Sequence, residues 1–475
     1  MIRAGSFRAA PRRAAPPTAP LYDGPPPHAE PMSRSFAGRG RVGAFLDRWR
    51  PILPLLGAES IIWIGFGAIV PILPLYMSDN GVDPVTLGLI VAAWPAARLL
   101  AEPLFGWAAD RTARIPFMVA GLLISAVTAI LPLVFVGAAP FFAARFVAGI
   151  GAAMYDPAAR GFIVDATDDA RHGEAFGVYG AAQMGGFMVG PAIGGLGAAV
   201  FGLWFPFVFA TVAGLAAALA VAVATREPAH THGTHGVSLP PADGAPGLAT
   251  PPPITGDGSA SRIVYLPPRS LWNRMLVAAV VVNFGAFFSS GTYEVVWSLF
   301  MERLGADLAL IGVSFAIFGV PVILLSPAAG RRVDRLGGRR FIVVGAAFVV
   351  ASAFLYPALG NPYAVTAVVV LEAVGFALMG PALYAIVSWG SPAGRSSTAQ
   401  GLFGAAGTLG FIISSLIAGE LWSRGTAVPF QVFGVVMLLT TLLALAIGRS
   451  RLDGEDPSLM IRVPADPGEA AKEMA

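Results

Sequence analysis

Seven charged side chains interrupt stretches of the sequence that are otherwise almost wholly apolar. They are Glu59, Arg98, Glu102, Arg145, Asp156, Glu294 and Glu372. A charge deep in hydrocarbon costs at least about 2.5 to 3.5 kcal/mol on insertion scales, so each of them must face a cavity or an opposite charge. Buried carboxylates and arginines can exchange protons or form fixed ion pairs. The sequence therefore predicts one of these two kinds of chemistry at a buried site.

Composition places these charges in a membrane protein. The chain of 475 residues is 56% hydrophobic and 12% charged, whereas about 25% of the residues of a soluble domain are charged. Cysteine is absent, which excludes disulfides, thiolate metal sites and thiol nucleophiles. The net charge of +3 comes almost wholly from arginine, without a basic face carrying interleaved aromatics, so we expect no nucleic-acid partner.

The uncharged runs have the length of membrane-spanning helices. A bilayer core about 30 Å thick needs roughly 20 apolar residues per helix. We predict spans 1 to 12 at 51–77, 86–109, 116–136, 140–165, 174–197, 203–225, 274–301, 308–329, 341–359, 363–388, 397–420 and 427–448. The predicted fold is an all-α membrane protein with twelve transmembrane helices in two six-helix, pseudo-symmetric bundles.

The distribution of arginines orients these spans. With the N-terminus in the cytoplasm, the outer connections carry only Arg303 and Arg424. The inner connections then carry Arg111, Arg114, Arg160, Arg171, Arg331, Arg332, Arg335, Arg339, Arg340 and Arg395. By the positive-inside rule we predict a multi-pass protein of the cell membrane with both termini in the cytoplasm.

Segments without spans divide the chain. We predict a disordered cytoplasmic tail at 1–48, a bundle at 49–225, a flexible cytoplasmic linker at 226–272, a second bundle at 273–448 and a cytoplasmic tail at 449–475. The first tail is rich in Pro, Ala and Arg, which leaves a transit peptide or a true start at Met32 open. The linker histidines His230, His232 and His235 could bind a metal, but without an ordered scaffold we predict a solvated loop and no metal site.

The two predicted bundles repeat one another at a constant offset of 224 residues. Matching pairs include Gly81 and Gly305, Asp83 and Asp307, Gly106 and Gly330, Asp110 and Asp334, Gly121 and Gly345, Gly151 and Gly375, Pro157 and Pro381, and Gly180 and Gly404. An even number of spans per half gives both halves one orientation, with a two-fold-like axis along the membrane normal. We expect the substrate to bind between the halves, near the midplane.

A charged motif follows span 2 and recurs after span 8. FGWAADRTARIP at 105–116 contains Gly106, Asp110, Arg111 and Arg114, and GRRVDRLGGRR at 330–340 contains Gly330, Asp334, Arg335 and Arg339. Both copies resemble the G-x-x-x-D-R-x-G-R-R motif of the major facilitator superfamily, and the resemblance covers residues 50–448. It implies two bundles that rock about a central substrate site.

We predict that these motifs form a gate at the cytoplasmic face. Asp110 and Arg111 can cap or pair with the ends of neighbouring helices, including Asp165 at the inner end of span 4. Such contacts would hold one closed arrangement of the two halves. The alternative is that the charges only fix topology, which would explain the arginines but not the repeated Asp with a Gly four residues before it.

Three stretches resemble signatures of the drug:proton antiporter branch of that superfamily. RFVAGIGAA begins at Arg145 in span 4, and IGFGAIVPILPLY covers 64–76 in span 1. GGFMVGPAIGG at 185–195 in span 5 supplies Gly186, Gly190, Pro191, Gly194 and Gly195. Because Gly and Pro let a helix bend and approach its neighbour, plain helix packing is the alternative for the span 5 glycines.

Residues that break the repeat are candidates for function, because scaffold features should survive in both halves. Most buried charges are such mismatches: Glu59, for example, stands opposite Asn283. Arg98 and Glu102 can pair at i, i+4. Glu59 has no partner nearby in sequence, so we expect reversible protonation there or a static pair with Arg98 or Arg145. The proton-coupling candidates are Glu59, Arg98, Glu102, Arg145 and Asp156, the last facing a cavity or reaching toward the inner surface.

Aromatic and polar side chains on spans 1, 4, 7 and 10 are candidates for substrate contact. They are Trp63, Tyr155, Asn283, Tyr293, Glu294, Trp297, Glu372 and Tyr384. Aromatic walls with a few carboxylates suit amphiphilic or cationic compounds. The alternative for any single aromatic is a position facing lipid or the membrane interface.

These patterns predict a secondary active transporter, a monomer without cofactors, that exports amphiphilic or drug-like molecules in exchange for protons by alternating access. A proton-coupled or passive uptake permease for a metabolite such as a sugar or organic acid is the alternative. The sequence has no G-x-x-x-x-G-K-[ST] loop for ATP, and all five histidines lie in tails or loops, which argues against an intramembrane hydrolase. A receptor would not need two copies of a charged gate.

Overall fold

The structure, a computed structural model, describes residues 41–167, 171–226, 262–265, 270–392, 395–453 and 460–463. Met32 and the linker histidines His230, His232 and His235 lie outside these ranges. The chain up to Arg50 and the segment Pro51–Ala475 form separate compact units. In the first unit, helix α1 covers Arg41–Arg48, so the last part of the predicted disordered tail is helical.

The second unit contains the membrane-spanning helices. They are α2 (Leu53–Ile69), α3 (Leu73–Asp79), α4 (Pro84–Ala109), α5 (Arg114–Val134), α6 (Ala138–Ala166), α7 (His172–Phe201), α8 (Phe205–Ala224), α9 (Arg274–Arg303), α10 (Leu308–Leu336), α11 (Arg339–Leu355), α12 (Pro362–Trp389), α13 (Ser396–Arg424) and α14 (Val428–Gly448). Among the described residues, eleven helices are long and apolar enough to cross a membrane, and α2 with α3 supplies a twelfth span. The predicted all-α fold is confirmed.

Span 1 is a broken helix. α2 and α3 meet at an angle of 41°. Pro71 lies in the break, and Pro74 lies in the first turn of α3, where its missing N–H leaves no helical hydrogen bond unmade. The prediction of one continuous helix over 51–77 is therefore wrong in this detail, although the crossing itself is present.

The helices pack in two groups, α2 to α8 and α9 to α14. Matching contacts reproduce the 224-residue repeat in three dimensions. A Cβ atom at Gly121 would lie 2.5 Å from the carbonyl oxygen of Gly151, and one at Gly345 would lie 2.5 Å from that of Gly375. Because both pairs leave no room for a side chain, α5 lies against α6 as α11 lies against α12.

Helix termini repeat in the same way. Asp83 caps the start of α4 by accepting hydrogen bonds from the N–H groups of Val85 and Thr86, and Asp307 caps α10 by accepting one from Leu310. Hydrogen bonds from the Thr86 hydroxyl and amide hold the pKa of Asp83 below its usual range. The duplicated caps define the same helix start in each half.

The charged motifs lie differently in the two copies. Asp110 and Arg111 directly follow the end of α4, whereas Asp334 and Arg335 lie in the last turn of α10, which continues to Leu336. Span 8 is therefore longer than the predicted 308–329. We call the span ends beside Asp110 and Asp334 the motif ends, and the opposite ends the far ends.

The two groups of helices meet closely toward the far ends. α4 packs on α13 and α7 packs on α10. Cβ atoms at Gly195 and Gly312 would each lie within 2.7 Å of the other residue's Cα. Gly180 of α7 and Gly404 of α13, which correspond to each other in the 224-residue repeat, lie toward the motif ends. A Cβ atom at either position would have no neighbouring atom within 4 Å, so both border open space.

A short antiparallel sheet joins the predicted linker to the C-terminal tail. Strand β1 (Arg262–Tyr265) pairs with β2 (Met460–Val463), with Arg262 opposite Val463. The prediction of a flexible linker over 226–272 therefore does not describe these four residues.

The matching glycine contacts lead to the first testable prediction. Gly121→Ala and Gly345→Ala should each lower the midpoint of thermal unfolding of the purified protein in detergent, because overpacking costs about 1 to 3 kcal/mol. Gly180→Ala and Gly404→Ala are the matched controls, since they add the same methyl group to open space and gain helix propensity. Equal midpoints for all four variants would contradict the observed packing.

Candidate functional site

Glu59 of α2 lies at a junction of three helices. Its side chain is fully buried. The Trp63 indole N–H and the Gln183 amide donate to Oε1 at 2.9 and 3.0 Å, and the Tyr155 hydroxyl donates to Oε2 at 2.7 Å. Because Tyr155 lies on α6 and Gln183 on α7, the carboxylate ties both helices to α2.

These contacts correct the sequence prediction for Glu59. Trp63, four residues further along the same helix, is a partner close in sequence, although none was expected. The static ion pair with Arg98 or Arg145 is also wrong, because these arginines bind other carboxylates. All of the described hydrogen-bond partners of Glu59 are neutral, so this carboxylate can take up a proton without breaking an ion pair with Arg98 or Arg145.

A ladder of alternating charges joins α4 to α6. Arg98 forms an ion pair with the buried Asp156, and it contacts Glu102 at 3.4 Å, the pairing expected from their spacing. Glu102 in turn lies 3.7 Å from Arg160. The Arg98 guanidinium also lies 4.9 Å from the centroid of the Trp94 ring, a cation-π contact. Asp156 faces the interior, the first of the two alternatives for this residue.

One ion pair crosses between the two halves. The Arg145 guanidinium of α6 donates to Glu294 of α9 at 2.6 Å, and each side chain is 11% exposed. Both residues are candidates from the sequence in different roles, but no sequence pattern pairs them. Neither Arg145 nor Glu294 has a charged counterpart at the 224-residue offset. These two mismatches were the signal in the sequence that could have suggested the pairing.

Glu372 of α12 lies in an aromatic pocket of the second half. The hydroxyls of Tyr293 and Tyr356 each donate to Oε2 at 2.6 Å. Oε1 is buried without a hydrogen-bond partner. The Trp297 ring lies 5.0 Å from the Tyr356 ring and 5.3 Å from the Tyr293 ring. Tyr356 was missed because it lies in predicted span 9, whereas contact candidates were taken only from spans 1, 4, 7 and 10. The structure places it in a 3-10 turn (Tyr356–Ala358) that follows α11.

This pocket opens onto a cavity of about 180 Å³ to which both halves contribute. Its lining includes Ser290, Glu294, Phe318 and Phe376, together with Phe187 of α7. Mostly apolar walls with a few polar groups are typical of small-molecule sites. The cavity therefore places two carboxylates among aromatic rings at the junction of the halves.

A second cavity of about 110 Å³ lies within the first half. Trp63 and Tyr155 line it, together with Arg98, Arg145 and Asp156. Its remaining walls are largely apolar side chains of α2 to α6 and α8. The predicted contact residues of the first half therefore face a different cavity from those of the second.

Three predicted contact residues have other roles or positions. Asn283 is buried and donates to the carbonyl oxygen of Phe403 at 2.7 Å, so it joins α9 to α13 instead of facing a cavity. Trp297 lines the larger cavity but its N–H is bound to Ser314 at 2.9 Å. Tyr384 is 60% exposed and lines neither cavity described here.

The first charged motif makes contacts within its own half. Arg114 donates to Asp165 at 2.5 Å and lies 3.6 Å from Asp110. Arg111 donates to the carbonyl oxygen of Trp107 at 3.0 Å and stacks on its ring. The predicted pairing of Asp110 or Arg111 with Asp165 is therefore wrong, because Arg114 occupies that position.

In the second copy, Asp334, Arg335 and Arg339 are exposed. The Arg339 backbone N–H is bound by Asp453 at 3.1 Å. Gly106 and Gly330 each place a Cβ 3.7 Å from a proline, Pro157 and Pro381 respectively. The motif glycines therefore pack alike in both halves, while the charged residues do not.

The span 5 glycines form two packing faces on α7. Cβ atoms at Gly186, Gly190 and Gly194 would each lie 2.5 Å or less from a carbonyl oxygen of α2. Gly195 instead lies against α10, where its Cβ would be 2.5 Å from the carbonyl oxygen of Leu308. The carbonyl oxygen of Pro191 also faces α10, 2.4 Å from a Cβ at Gly312. One helix thus contacts its own bundle and the other one at close range.

The described residues contain no group of three or more His, Asp or Glu side chains that could hold a metal ion.

Two related groups of helices with buried charges between them define a polytopic membrane protein of the transporter type. A family model described as Major Facilitator Superfamily matches residues 55–295 and 279–468. The chain belongs to this superfamily.

Similar proteins extend this assignment. Multidrug resistance protein 2 of Bacillus subtilis (strain 168) is 27% identical over 395 residues, which cover 81% of this chain and 92% of that protein. Quinolone resistance protein NorA of Staphylococcus aureus is 30% identical over 168 residues, or 35% of this chain and 43% of that protein.

Solved structures show the same fold at low identity. The nucleoside transporter NupG matches with a TM-score of 0.64 at 12% identity, covering 84% of this chain and 98% of that chain. A bacterial homologue of the human lysosomal transporter Spinster, in an inward-facing and occupied conformation, matches with a TM-score of 0.64 at 14% identity, covering 88% and 100%.

The ion pair between the halves leads to a second prediction. Glu294→Gln should destabilise the protein by about 3 to 5 kcal/mol, because it leaves the buried Arg145 charge unpaired, and the double variant Arg145→Gln/Glu294→Gln should recover much of this loss. Thermal or denaturant unfolding in detergent measures both.

Glu420→Gln is the matched control for this prediction. It breaks an exposed pair with Arg424 that lies 3.0 Å apart, and exposed pairs contribute about 0 to 1 kcal/mol. If Glu294→Gln lowers the free energy of unfolding no more than Glu420→Gln does, Arg145 and Glu294 do not form a buried ion pair.

Proposed function

We propose that the protein is a secondary active transporter that exports cationic amphiphilic molecules in exchange for protons by alternating access. The observation that carries the proposal is the Arg145–Glu294 ion pair, which joins the two halves at 2.6 Å beside the aromatic cavity. Membership of the Major Facilitator Superfamily and similarity to two multidrug resistance proteins of Bacillus subtilis support it.

The aromatic cavity is the proposed substrate site. Glu372 has an unpartnered carboxylate oxygen, and the rings of Tyr293, Trp297 and Tyr356 surround it. A cation placed beside Oε1 would satisfy this oxygen and gain cation-π attraction from the rings. Neutral amphiphiles would gain only the apolar contacts. The site therefore favours a positive charge on the substrate.

Glu59 is the proposed proton-binding residue of the first half. Its described hydrogen-bond donors are neutral, whereas Asp156 and Glu294 are each held by an arginine. Protonated Glu59 would still accept hydrogen bonds at Oε1 but would carry an O–H donor at Oε2, so the Tyr155 hydroxyl, which now donates to Oε2, would have to accept instead. The hydrogen bond that ties α2 to α6 would then reverse, which couples proton binding at Glu59 to the contact between these two helices.

The contacts between the halves support alternating access. The close contacts between the halves at Gly195 and Gly312 lie toward the far ends, which supports a site that opens toward the motif ends. With the arginine-rich connections inside, as the positive-inside rule favours, the motif ends would lie at the cytoplasm. Closing the motif ends and opening the far ends would release the substrate outside, and the Arg145–Glu294 pair must adjust at each change.

Proton coupling is tested by transport in proteoliposomes with an imposed pH gradient and a panel of cationic, neutral and anionic amphiphiles. The wild type should accumulate cations only when the gradient is present. Glu59→Gln, which has the shape of the protonated residue, should abolish the dependence on the gradient and leave passive exchange.

Glu420→Gln is the control carboxylate, since it lies on the surface. Flux insensitive to the gradient in the wild type would rule out proton coupling. A gradient-dependent flux that is unchanged in Glu59→Gln would move the coupling role to Asp156, Glu294 or Glu372.

Substrate charge is tested by binding to the solubilised protein. Glu372→Gln should weaken binding of a cationic amphiphile roughly tenfold or more, because a hydrogen bond or contact to a charged group contributes about 1.5 to 3 kcal/mol. Binding of a neutral analogue of the same shape should change little. Equal losses for both compounds would show that Glu372 shapes the pocket without recognising charge.

A further inference from the structure

The two halves support their corresponding charged motifs by different means. In the first half, Arg114 joins Asp165 to the region of Asp110. At the 224-residue offset, Arg114 corresponds to Gly338 and Asp165 to Trp389. The second half therefore lacks both members of this ion pair, and the start of α11 needs another support.

The C-terminal segment Arg449–Asp453 provides this support, and we call it the C-terminal clasp. It follows α14 as a 3-10 helix. Its first residue, Arg449, has a positive φ of 46°, so the backbone departs from the α-helical conformation there. The N–H of Gly338 donates to the carbonyl oxygen of Leu452 at 3.0 Å, and the N–H of Arg339 donates to Asp453 Oδ1 at 3.1 Å. Since Gly338 has no side chain to cap α11, the clasp supplies a capping oxygen from elsewhere in the chain.

The clasp also fits the helices around it. Leu452 is fully buried. A Cβ at Gly448 would lie 2.6 Å from its Cγ atom, and a Cβ at Gly338 would lie 3.0 Å from its carbonyl oxygen. Gly337, at a φ of 79°, has a backbone conformation that favours glycine and lies against Asp453. Because Gly337, Gly338 and Gly448 have no side chains, Leu452 and Asp453 can pack against them.

The tail continues from the clasp to the linker between the halves. Beyond it, β2 pairs with β1 of the linker, which precedes α9 in the chain. The C-terminal tail therefore contacts both the second charged motif and the segment that connects the bundles.

We propose that the C-terminal clasp positions the second charged motif for closure of the motif ends. Asp334 and Arg335 are exposed in the last turn of α10, directly before the Gly337–Arg339 connection that the clasp holds. By fixing this connection, the clasp sets the direction in which the two side chains face the first half. In the second half, the clasp has the role that the Arg114–Asp165 ion pair has in the first half. The consequence for transport depends on the function proposed above.

The absence of cysteine allows a direct test in the full chain. A single cysteine introduced as Gly404→Cys, at an exposed position of α13 toward the motif ends, reports changes in access at this end through its rate of reaction with a water-soluble maleimide. In this background, Asp453→Ala removes the capping oxygen and Asp453→Asn keeps one. Asp307→Ala is the matched control, because it removes the cap of α10 at the far end.

Asp453→Ala should speed labelling of Gly404→Cys about fivefold, the equilibrium effect typical of a lost helix cap, because the closed arrangement of the motif ends loses support. It should lower the maximal transport rate while leaving the substrate concentration for half-maximal rate unchanged, since the central site is untouched. Asp453→Asn should restore both values, and Asp307→Ala should change neither. In an Asp334→Asn background, Asp453→Ala should have no further effect.

Thermal unfolding of each variant separates positioning from stability. If Asp453→Ala and Asp307→Ala lower the unfolding midpoint alike and neither changes labelling or the maximal rate, the clasp is only structural and the proposal is wrong. An additive effect in the Asp334→Asn background would also overturn it. If labelling responds as expected while the wild type shows no gradient-driven flux, the clasp stands and the transport function proposed above fails.

Discussion

The Arg145–Glu294 ion pair constrains every arrangement of the two halves. Both side chains are almost excluded from water, and separating them without replacement would leave two uncompensated charges in a region of low dielectric. A conformational change must therefore keep the pair, or bring a proton, a cation or another charged group to each partner. Glu372 lines the cavity that reaches Glu294, and Glu59 is hydrogen-bonded to Trp63 and Tyr155, which line the cavity that reaches Arg145. Their chemistry is thereby linked to the contact between the halves.

The scaffold around this pair consists of tightly packed groups of helices, as the proposed rigid-body movement requires. Glycine pairs such as Gly121 with Gly151, and Gly345 with Gly375, bring helix backbones into direct contact, where a small shift would produce a clash. α7 combines two such faces, with Gly190 against α2 and Gly195 against α10. A rearrangement of the hydrogen bonds at Glu59, which involve Gln183 of α7, can therefore reach the interface between the halves through one helix.

Much of the fold could be predicted from the sequence because its causes are local or repeated. Span length, the aspartate caps and the paired glycines each depend on a few neighbouring residues, and the repeat shows them twice. The site could be predicted only in part. Glu59 bonds to Tyr155 and Gln183, 96 and 124 residues away, and Arg145 bonds to Glu294, 149 residues away, which no spacing rule selects. The break between α2 and α3 had a signal in Pro71 and Pro74, but its angle depends on packing.

The departures from symmetry divide the chemistry between the halves. The first half holds a ladder of four charges, Arg98, Glu102, Asp156 and Arg160, whose counterparts in the second half are Val322, Ser326, Gly380 and Tyr384. The second half instead places a single carboxylate, Glu372, among tyrosines. The proposed proton binding and cation recognition need different surroundings, since the first requires exchange with water and the second requires desolvated aromatic walls. Alternating access requires only that each half moves as a rigid body. The two halves can therefore carry different binding residues, provided that one contact between them transmits the state of one half to the other. Arg145 and Glu294 form such a contact.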